Sequence, residues 1–395
     1  MARTRKGRGA ALLLAFGAAA FTIVLAPDAS GQETAAAPAT APATASAPAA
    51  PRPWYETISV NGFVTTSWSW NFNRPDSGTN QLRVFDFEDN AIKVDGAELV
   101  LQKVASAPGE AGFRVDAVAG ASIPRVTAAA GLFRDDDGTA GDFDLQQAYV
   151  SYIAPLGTGL RFDAGKFGTH CGYEVIDGYD GYNDNATRSF LFGYAEPASH
   201  TGLKATYALS GTVSAMVEVV NGWDNVEDSN SSKSVGGQLA FTLPSNATVY
   251  VNALFGPERS GNDSDDRTFL NVVGTWKLGA GSALGLDAVW ATEENAAGPG
   301  LDATWGGVAL YGRLGLSPSF ALVLRAEVFD DPDGVRTGTP QTLSELTLTP
   351  ELKLAPGLVL RADLRLDHST RDVFEKESSL TGTQPTVLLN ALYFF

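Results

Sequence analysis

Oppositely charged side chains alternate at every second position in several segments of the sequence. The longest series is Arg361, Asp363, Arg365 and Asp367. Because side chains at every second position of a β-strand point to the same side, these charges would share one face of a sheet. If that face lined a water-filled channel, the ladder would set a transverse field and tune ion selection. The same charges could instead pair across strands and only stabilise the sheet.

Shorter segments repeat this arrangement of charges. The complete set predicted to line a channel adds to these four residues Arg325, Glu327, Arg114, Asp116, Arg161 and Asp163.

The sequence offers little for acid–base, nucleophilic or metal chemistry. Its histidines are His170, His200 and His368, and no recognised nucleophile motif accompanies them. The single cysteine, Cys171, excludes an intrachain disulfide, and no zinc-type Cys/His spacing is present. We therefore predict that the protein is not an enzyme and holds neither a cofactor nor a metal.

The charged series lie in segments whose alternate positions are apolar. Residues 358–367 read LVLRADLRLD, and residues 322–328 and 345–354 repeat the pattern. A period of two predicts β-strands with one apolar and one polar face. Pro350 interrupts the third segment, and because proline cannot donate to a strand ladder we expect a bulge there.

The connections between these segments indicate how the strands are arranged. Strands of about ten residues match a tilted crossing of the hydrocarbon layer. Short connections such as 155–158 and 244–246 alternate with long acidic ones such as 170–199, 293–302 and 370–384, as in outer-membrane barrels. The pattern predicts an all-β fold, a transmembrane antiparallel β-barrel of about sixteen strands (14–18), a size that leaves an aqueous channel.

The N-terminal residues differ from the rest of the chain. Residues 1–31 combine a basic start with an apolar run from Ala10 to Ala26 and small residues, which predicts a signal peptide. A retained membrane anchor is the alternative, although the run is short for one. Residues 32–53 are rich in Ala, Pro and Thr and are predicted to be a disordered linker. The barrel is then expected over residues 54–395.

Charge and hydropathy exclude two classes of protein. The formal net charge of −17 argues against a nucleic-acid partner. No second apolar run approaches the length of a membrane-spanning helix, which excludes a multi-helix membrane protein.

The longest connection, residues 170–199, is rich in aromatic and charged residues. Large barrels are often narrowed or plugged by a loop folded into the lumen. We therefore predict that this loop constricts the channel, with Glu174, Asp177 and Arg188 at the narrowest point. The alternative is an exposed loop that stabilises contacts between neighbouring barrels.

Residues 145–207 carry a series of short motifs in fixed order. They include QAYVSY at 147–152, GKF at 165–167, GYEVI at 172–176, RSFLF at 188–192 and PASHTGLKATY at 197–207. The series resembles the outer-membrane β-barrel porins of the OmpL-like family. The sequence departs from that pattern at His170–Cys171 and at Thr187. The resemblance implies a porin without implying a particular substrate.

The last strand also resembles outer-membrane barrels, since its apolar alternation ends at Tyr393 and the terminal Phe395. In such proteins this ending is an assembly signal for the barrel insertion machinery. The expected partners are therefore this machinery, outer-membrane lipid, and small solutes or ions, with association into a homo-oligomer. Taken together, we predict a Gram-negative outer-membrane porin for passive diffusion of ions or small hydrophilic solutes. The alternative is a non-conducting structural or surface-binding barrel.

Overall fold

Sixteen strands form one closed antiparallel barrel in the computed structural model, which describes residues 54–127, 130–135 and 138–395. Each strand pairs with its neighbours in sequence, and the first and last strands, Ser59–Asn71 and Thr383–Phe394, pair with each other to close the ring. The predicted fold class and strand number are confirmed. The signal peptide and the linker predicted for residues 1–53 lie outside the described residues.

The strands are numbered in chain order, and the count includes two short strands of a separate hairpin that lies in the connection before the last barrel strand. They are β1 (Ser59–Asn71), β2 (Ile92–Lys103), β3 (Ala111–Ala119), β4 (Phe143–Ala154), β5 (Leu160–Gly168), β6 (Ser199–Ala208), β7 (Val213–Val220), β8 (Ser234–Leu243), β9 (Ala247–Pro257), β10 (Asp266–Gly279), β11 (Ser282–Gly298), β12 (Leu301–Ser317), β13 (Phe320–Asp331), β14 (Gln341–Ala355), β15 (Leu358–Ser369), β16 (Phe374–Lys376), β17 (Ser379–Thr381) and β18 (Thr383–Phe394).

Helical structure is confined to short turns among the described residues. A 3₁₀ turn spans Trp54–Thr57, the α-helical turn α1 spans Ile123–Val126, and a π-helical turn spans Leu191–Ala195. None of these is long and apolar enough to cross a membrane.

The two faces of each barrel strand differ as the alternation predicts. On β15, Leu364 and Leu366 are 52% and 49% exposed on the outer face. Asp363 and Asp367, which flank this pair in the sequence, are fully buried on the inner face. A closed barrel pairs its backbone groups between strands, so that the outer surface can be apolar and face lipid.

Two features differ from the sequence predictions. The connection expected near residues 293–302 is mostly strand, because β11 and β12 continue outward as a long hairpin and still pair at Gly298 and Leu301. The predicted bulge at Pro350 is wrong. The register between β14 and β15 is the same before it, at Leu348–Leu364, and after it, at Glu351–Arg361. The missing N–H is thus accommodated without an inserted residue.

The C-terminal residue completes the junction between the first and last strands. The backbone N–H of Phe395 donates to the carbonyl of Gly62 and the N–H of Gly62 donates to Phe395, each at 3.0 Å. The Phe395 ring lies over Gly62, where a Cβ atom would come within 2.3 Å of it. An aromatic ring that covers a glycine in this way supports strand pairing. Its neighbour Tyr393 lies 6.4 Å away between ring centroids.

We expect deletion of Phe395 to lower the amount of folded protein in the outer membrane several-fold, because it removes both closing hydrogen bonds and the cover on Gly62. The measurement is the yield of folded barrel in the outer-membrane fraction. Phe395→Tyr, which retains the ring and the backbone, is the matched control and should accumulate like the wild type. Normal accumulation of the deletion variant would contradict the assigned role.

Candidate functional site

The connection between β5 and β6, residues 169–198, folds into the barrel and is called the inner loop below. Strands β5 and β13 lie opposite each other in the ring. The loop nevertheless reaches the far wall, where the backbone N–H groups of Phe190 and Leu191 donate to Glu327 of β13 at 2.9 and 3.0 Å. The ring of Tyr173 stacks on Tyr311 of β12 with 4.0 Å between centroids. The inner loop therefore crosses the interior.

Arg325 of β13 is the centre of the first set of loop contacts. Its side chain is fully buried, and it donates to Glu174 of the inner loop and to Glu345 of β14, each at 2.6 Å. Glu174 also accepts from the backbone N–H and the hydroxyl of Ser189, each at 2.8 Å. This network joins two parts of the inner loop to the wall.

A second set of contacts surrounds Asp177. Its carboxylate lies 3.0 Å from Arg188 of the same loop and 3.2 Å from Arg361 of β15. Burial disfavours the charged carboxylate, but the two guanidinium groups outweigh that effect and hold the pKa of Asp177 below its ordinary value. Arg188 in turn lies over the ring of Phe85, 4.8 Å from its centroid. Asp177 therefore links Arg188 of the inner loop to Arg361 of β15 through two ion pairs.

The remaining ladder residues on β15 also contact the inner loop. Asp363 accepts from the backbone N–H and the hydroxyl of Thr187, at 2.7 and 2.8 Å. Arg365 donates to Asp367 at 2.6 Å and to the carbonyl of Arg188. The charges on this side of the wall are therefore paired with the loop or with each other.

A second segment, the connection between β1 and β2, also folds inward. Arg83 pairs with Asp86 of its own connection and, at 2.7 Å, with Asp367 of β15. Phe85 packs against Phe192 of the inner loop, with ring centroids 6.0 Å apart. The sequence analysis missed this segment, because nothing local distinguishes a loop that turns inward from one that extends into solvent.

The other four predicted channel residues lie on β3 and β5, where Asp116 and Asp163 are buried and the two arginines are only partly covered. Arg114 pairs with Asp116 at 2.8 Å and with Asp180 of the inner loop at 2.5 Å. Arg161 pairs with Asp163 at 2.9 Å, and its side chain keeps 33% of its surface exposed. The two arginines are thus more exposed than those of the ladder on β13 and β15.

An open space remains between the inner loop and the wall formed by β8, β9 and β10. This cavity encloses about 410 Å³. Its wall side includes Gln238, Tyr250 and Thr275, and its loop side includes Tyr173, Tyr182 and Asp184. Burial raises the pKa of Asp184, although Arg313 lies 2.5 Å away. The wall residues carry no formal charge and were not singled out from the sequence.

The family comparison supports what the barrel and its inner loop indicate. The family model described as "Putative beta-barrel porin-2, OmpL-like" matches residues 57–395. The chain belongs to this porin family. The predicted resemblance is thereby confirmed, and the protein is a porin of the cell outer membrane.

Solved structures similar to this porin share its fold at low sequence identity. The outer membrane channel DcaP of Acinetobacter baumannii is 10% identical, with a TM-score of 0.59 over 86% of this chain and 97% of that chain. An anion-selective porin from Comamonas acidovorans is 12% identical, with a TM-score of 0.58 over 86% and 99% of the two chains. OprB of Pseudomonas putida is 12% identical, with a TM-score of 0.56 over 86% and 95%. No curated protein matches the sequence.

All ten charged residues predicted for the channel point to the inside of this porin. Those on β13 and β15 are all buried, whereas on β3 and β5 the aspartates are buried and the two arginines are partly exposed. Of the three loop residues predicted at a constriction, Glu174 and Arg188 are buried and Asp177 is mostly buried, and all three contact the wall or each other. Aromatic side chains and Asp184 face the open space instead.

Proposed function

We propose that ions or small hydrophilic solutes diffuse passively between the inner loop and the wall of β8, β9 and β10. The observation that carries this proposal is the cavity of about 410 Å³ at that place, whose wall side presents the neutral side chains of Gln238, Tyr250 and Thr275 and whose loop side includes Asp184. Neutral polar groups can replace part of a solute's hydration without holding it tightly. The inner loop then narrows the lumen because it lies across the barrel interior.

In this proposal the ten predicted channel residues have two roles. The charges on β13 and β15 hold the inner loop against one side of the barrel, as their short contacts with Glu174, Asp177 and Thr187 indicate. The pairs Arg114–Asp116 and Arg161–Asp163 set the field of the water-filled part, which their partly exposed arginines face. Glu174, Asp177 and Arg188 set the width of the passage by fixing the loop.

The runner-up is a non-conducting barrel that serves the envelope or binds a surface partner. The extent of the contacts between the inner loop and the wall favours it, since a loop held this firmly could plug the lumen. In either case we propose a protein without enzymatic activity, because the family and the fold are those of a channel.

The outer face and the C-terminus support further proposals about partners. The apolar outer face fits contact with outer-membrane lipid. Tyr393 and Phe395 fit recognition by the barrel insertion machinery. We also propose association into a homo-oligomer, as one solved form of OmpT of Vibrio cholerae is a trimer.

Cysteine modification tests the path of the solutes. In Tyr250→Cys, a membrane-impermeant, charged methanethiosulfonate reagent should reach the thiol from water and reduce the single-channel current by roughly a third or more, because it adds bulk inside the narrow passage. The native thiol will not interfere, since Cys171 is buried and burial raises its pKa.

The matched control is Val251→Cys, one residue along the same strand and 42% exposed on the outer face. Its current should not respond to the reagent, because adjacent strand residues point to opposite faces. If Tyr250→Cys conducts and also fails to respond, the passage runs elsewhere. If the wild type inserts but passes no current, the non-conducting alternative is correct.

A further inference from the structure

Three side chains from separate parts of the chain meet near the start of the inner loop. They are His170 of that loop, His200 of β6 and Glu218 of β7. One ligand atom from each lies within 4.8 Å of the others. The distance from Glu218 Oε1 is 3.4 Å to His170 Nδ1 and 3.8 Å to His200 Nε2. Their side chains are 8%, 0% and 1% exposed for His170, His200 and Glu218.

The polar atoms of this cluster are mostly without hydrogen-bond partners. Within the described residues, neither ring nitrogen of His170 and neither carboxylate oxygen of Glu218 has one. A buried polar atom left in this state costs free energy, so native structures usually satisfy it with protein, water or an ion. A bound ion or molecule could therefore supply the partners that these ring nitrogens and carboxylate oxygens lack.

The tautomer of His200 makes it a suitable ligand. Its Nδ1 lies 3.3 Å from the carbonyl oxygen of Gly222, which can only accept, so Nδ1 carries the hydrogen. Nε2 then keeps its lone pair, which now accepts from the hydroxyl of Thr169 at 3.0 Å. Metal-binding histidines are oriented in the same way, by donating the other ring N–H to a backbone carbonyl. A metal would replace a single neutral hydrogen bond.

The barrel wall makes space for the carboxylate. Glu218 packs across Gly236 of β8, where a Cβ atom would lie 2.6 Å from Oε1. Lys204, the register partner of Glu218 on β6, directs its ammonium over the ring of Phe167, 4.1 Å from the centroid. The carboxylate thus remains turned towards the two imidazoles.

We propose that His170, His200 and Glu218 form a binding site for a divalent transition metal of the zinc class. Two ligands of a tetrahedral zinc ion, each about 2 Å from the metal, stand about 3.3 Å apart, which is close to the 3.4 and 3.8 Å that separate Glu218 from the two imidazoles. Two imidazoles and one carboxylate select zinc, copper or nickel over magnesium or calcium, which prefer all-oxygen sites. The ion would tie the start of the inner loop to β6 and β7, beside the cavity that His170 also lines.

Calorimetric titration of the folded, metal-stripped porin with Zn²⁺ tests the site, using protein purified without a polyhistidine tag. The expected result is one equivalent bound with micromolar or tighter affinity, undisturbed by millimolar Mg²⁺. His170→Asn and the isosteric Glu218→Gln should each weaken binding about ten-fold or more. His368→Asn, which removes the exposed histidine on β15, should bind as the wild type does.

Circular dichroism would establish that each variant is folded before titration. If titration of the wild type with Zn²⁺ gives no saturable heat of binding at a fixed stoichiometry, the proposal is overturned and the cluster is a buried polar network. Unchanged affinity in both His170→Asn and Glu218→Gln would also overturn it, because the metal would then bind elsewhere. This test does not depend on whether the porin conducts.

Discussion

Deletion of residues 177–184 from the inner loop is expected to raise the single-channel conductance of the porin roughly two-fold or more, because a sixteen-stranded barrel is wide unless a loop fills it. This segment forms the tip of the loop. It reaches β2 through the N–H of Tyr179, which donates to Glu98 at 3.1 Å, and β3 through Asp180, 2.5 Å from Arg114. Removal of the tip therefore opens the space between the wall of β2 and β3 and the part of the loop that β13 and β15 hold.

The deletion removes Asp177 and with it the contact to Arg361 of β15, but the other anchors should hold the rest of the loop in place. In the intact loop Asn183, which the deletion removes, exchanges hydrogen bonds of 2.9 and 2.6 Å with the backbone of Val175. The two arms therefore lie side by side at the base of the tip and can be rejoined. The contacts Glu174–Arg325 and Thr187–Asp363 lie outside the deleted residues.

Planar-bilayer recordings of both proteins would measure the effect. The control is deletion of residues 260–264, from the exposed connection between β9 and β10, which should leave conductance unchanged. Equal conductance of the wild type and the 177–184 deletion would show that the tip does not narrow the channel. A silent wild type with a conducting deletion variant would instead identify a plugged barrel.

Replacing Arg325 by methionine is expected to lower the free energy of unfolding by about 3–5 kcal/mol, the usual cost of removing one partner from a buried ionic network. Glu174 and Glu345, each 2.6 Å from the guanidinium, would remain buried without their cation. The loop carbonyl of Thr187 would lose a donor as well, also at 2.6 Å.

Urea unfolding of the porin in lipid vesicles would measure this loss. Arg371→Met is the matched control, because Arg371 is exposed on an external connection, and its effect should stay within about 0.5 kcal/mol. Adding Glu174→Gln to Arg325→Met should recover about 1 kcal/mol or more, since it removes one uncompensated charge. An Arg325→Met variant as stable as Arg371→Met would contradict the anchoring role.

The sequence alone determined the barrel to a large extent. Apolar and polar residues alternate along β15, and this local pattern is enough to assign one face to lipid and one to the interior. The alternation of short and long connections then set the strand number. The prediction failed where this alternation of apolar and polar residues is absent. The segment 293–302 was expected to be a connection, but β11 and β12 continue through most of it beyond the lipid-facing part.

The sequence also identified the inner loop, from its length and its family motifs, and the inward direction of the ten charged residues. It could not say which of these charges meet the loop. Their partners are far apart in the chain: Glu174 and Arg325 are separated by 151 residues, and Thr187 and Asp363 by 176. No local spacing encodes such pairs.

Only the tertiary structure decided where open space remains and what surrounds it. The wall of Gln238, Tyr250 and Thr275 has no charge or motif, and it matters only because the loop lies against the other side of the barrel. The cluster of His170, His200 and Glu218 likewise has no recognisable spacing, since it draws on a loop and two strands. Closing the barrel brings such residues together, because closure is a property of the whole ring of strands and not of any one segment.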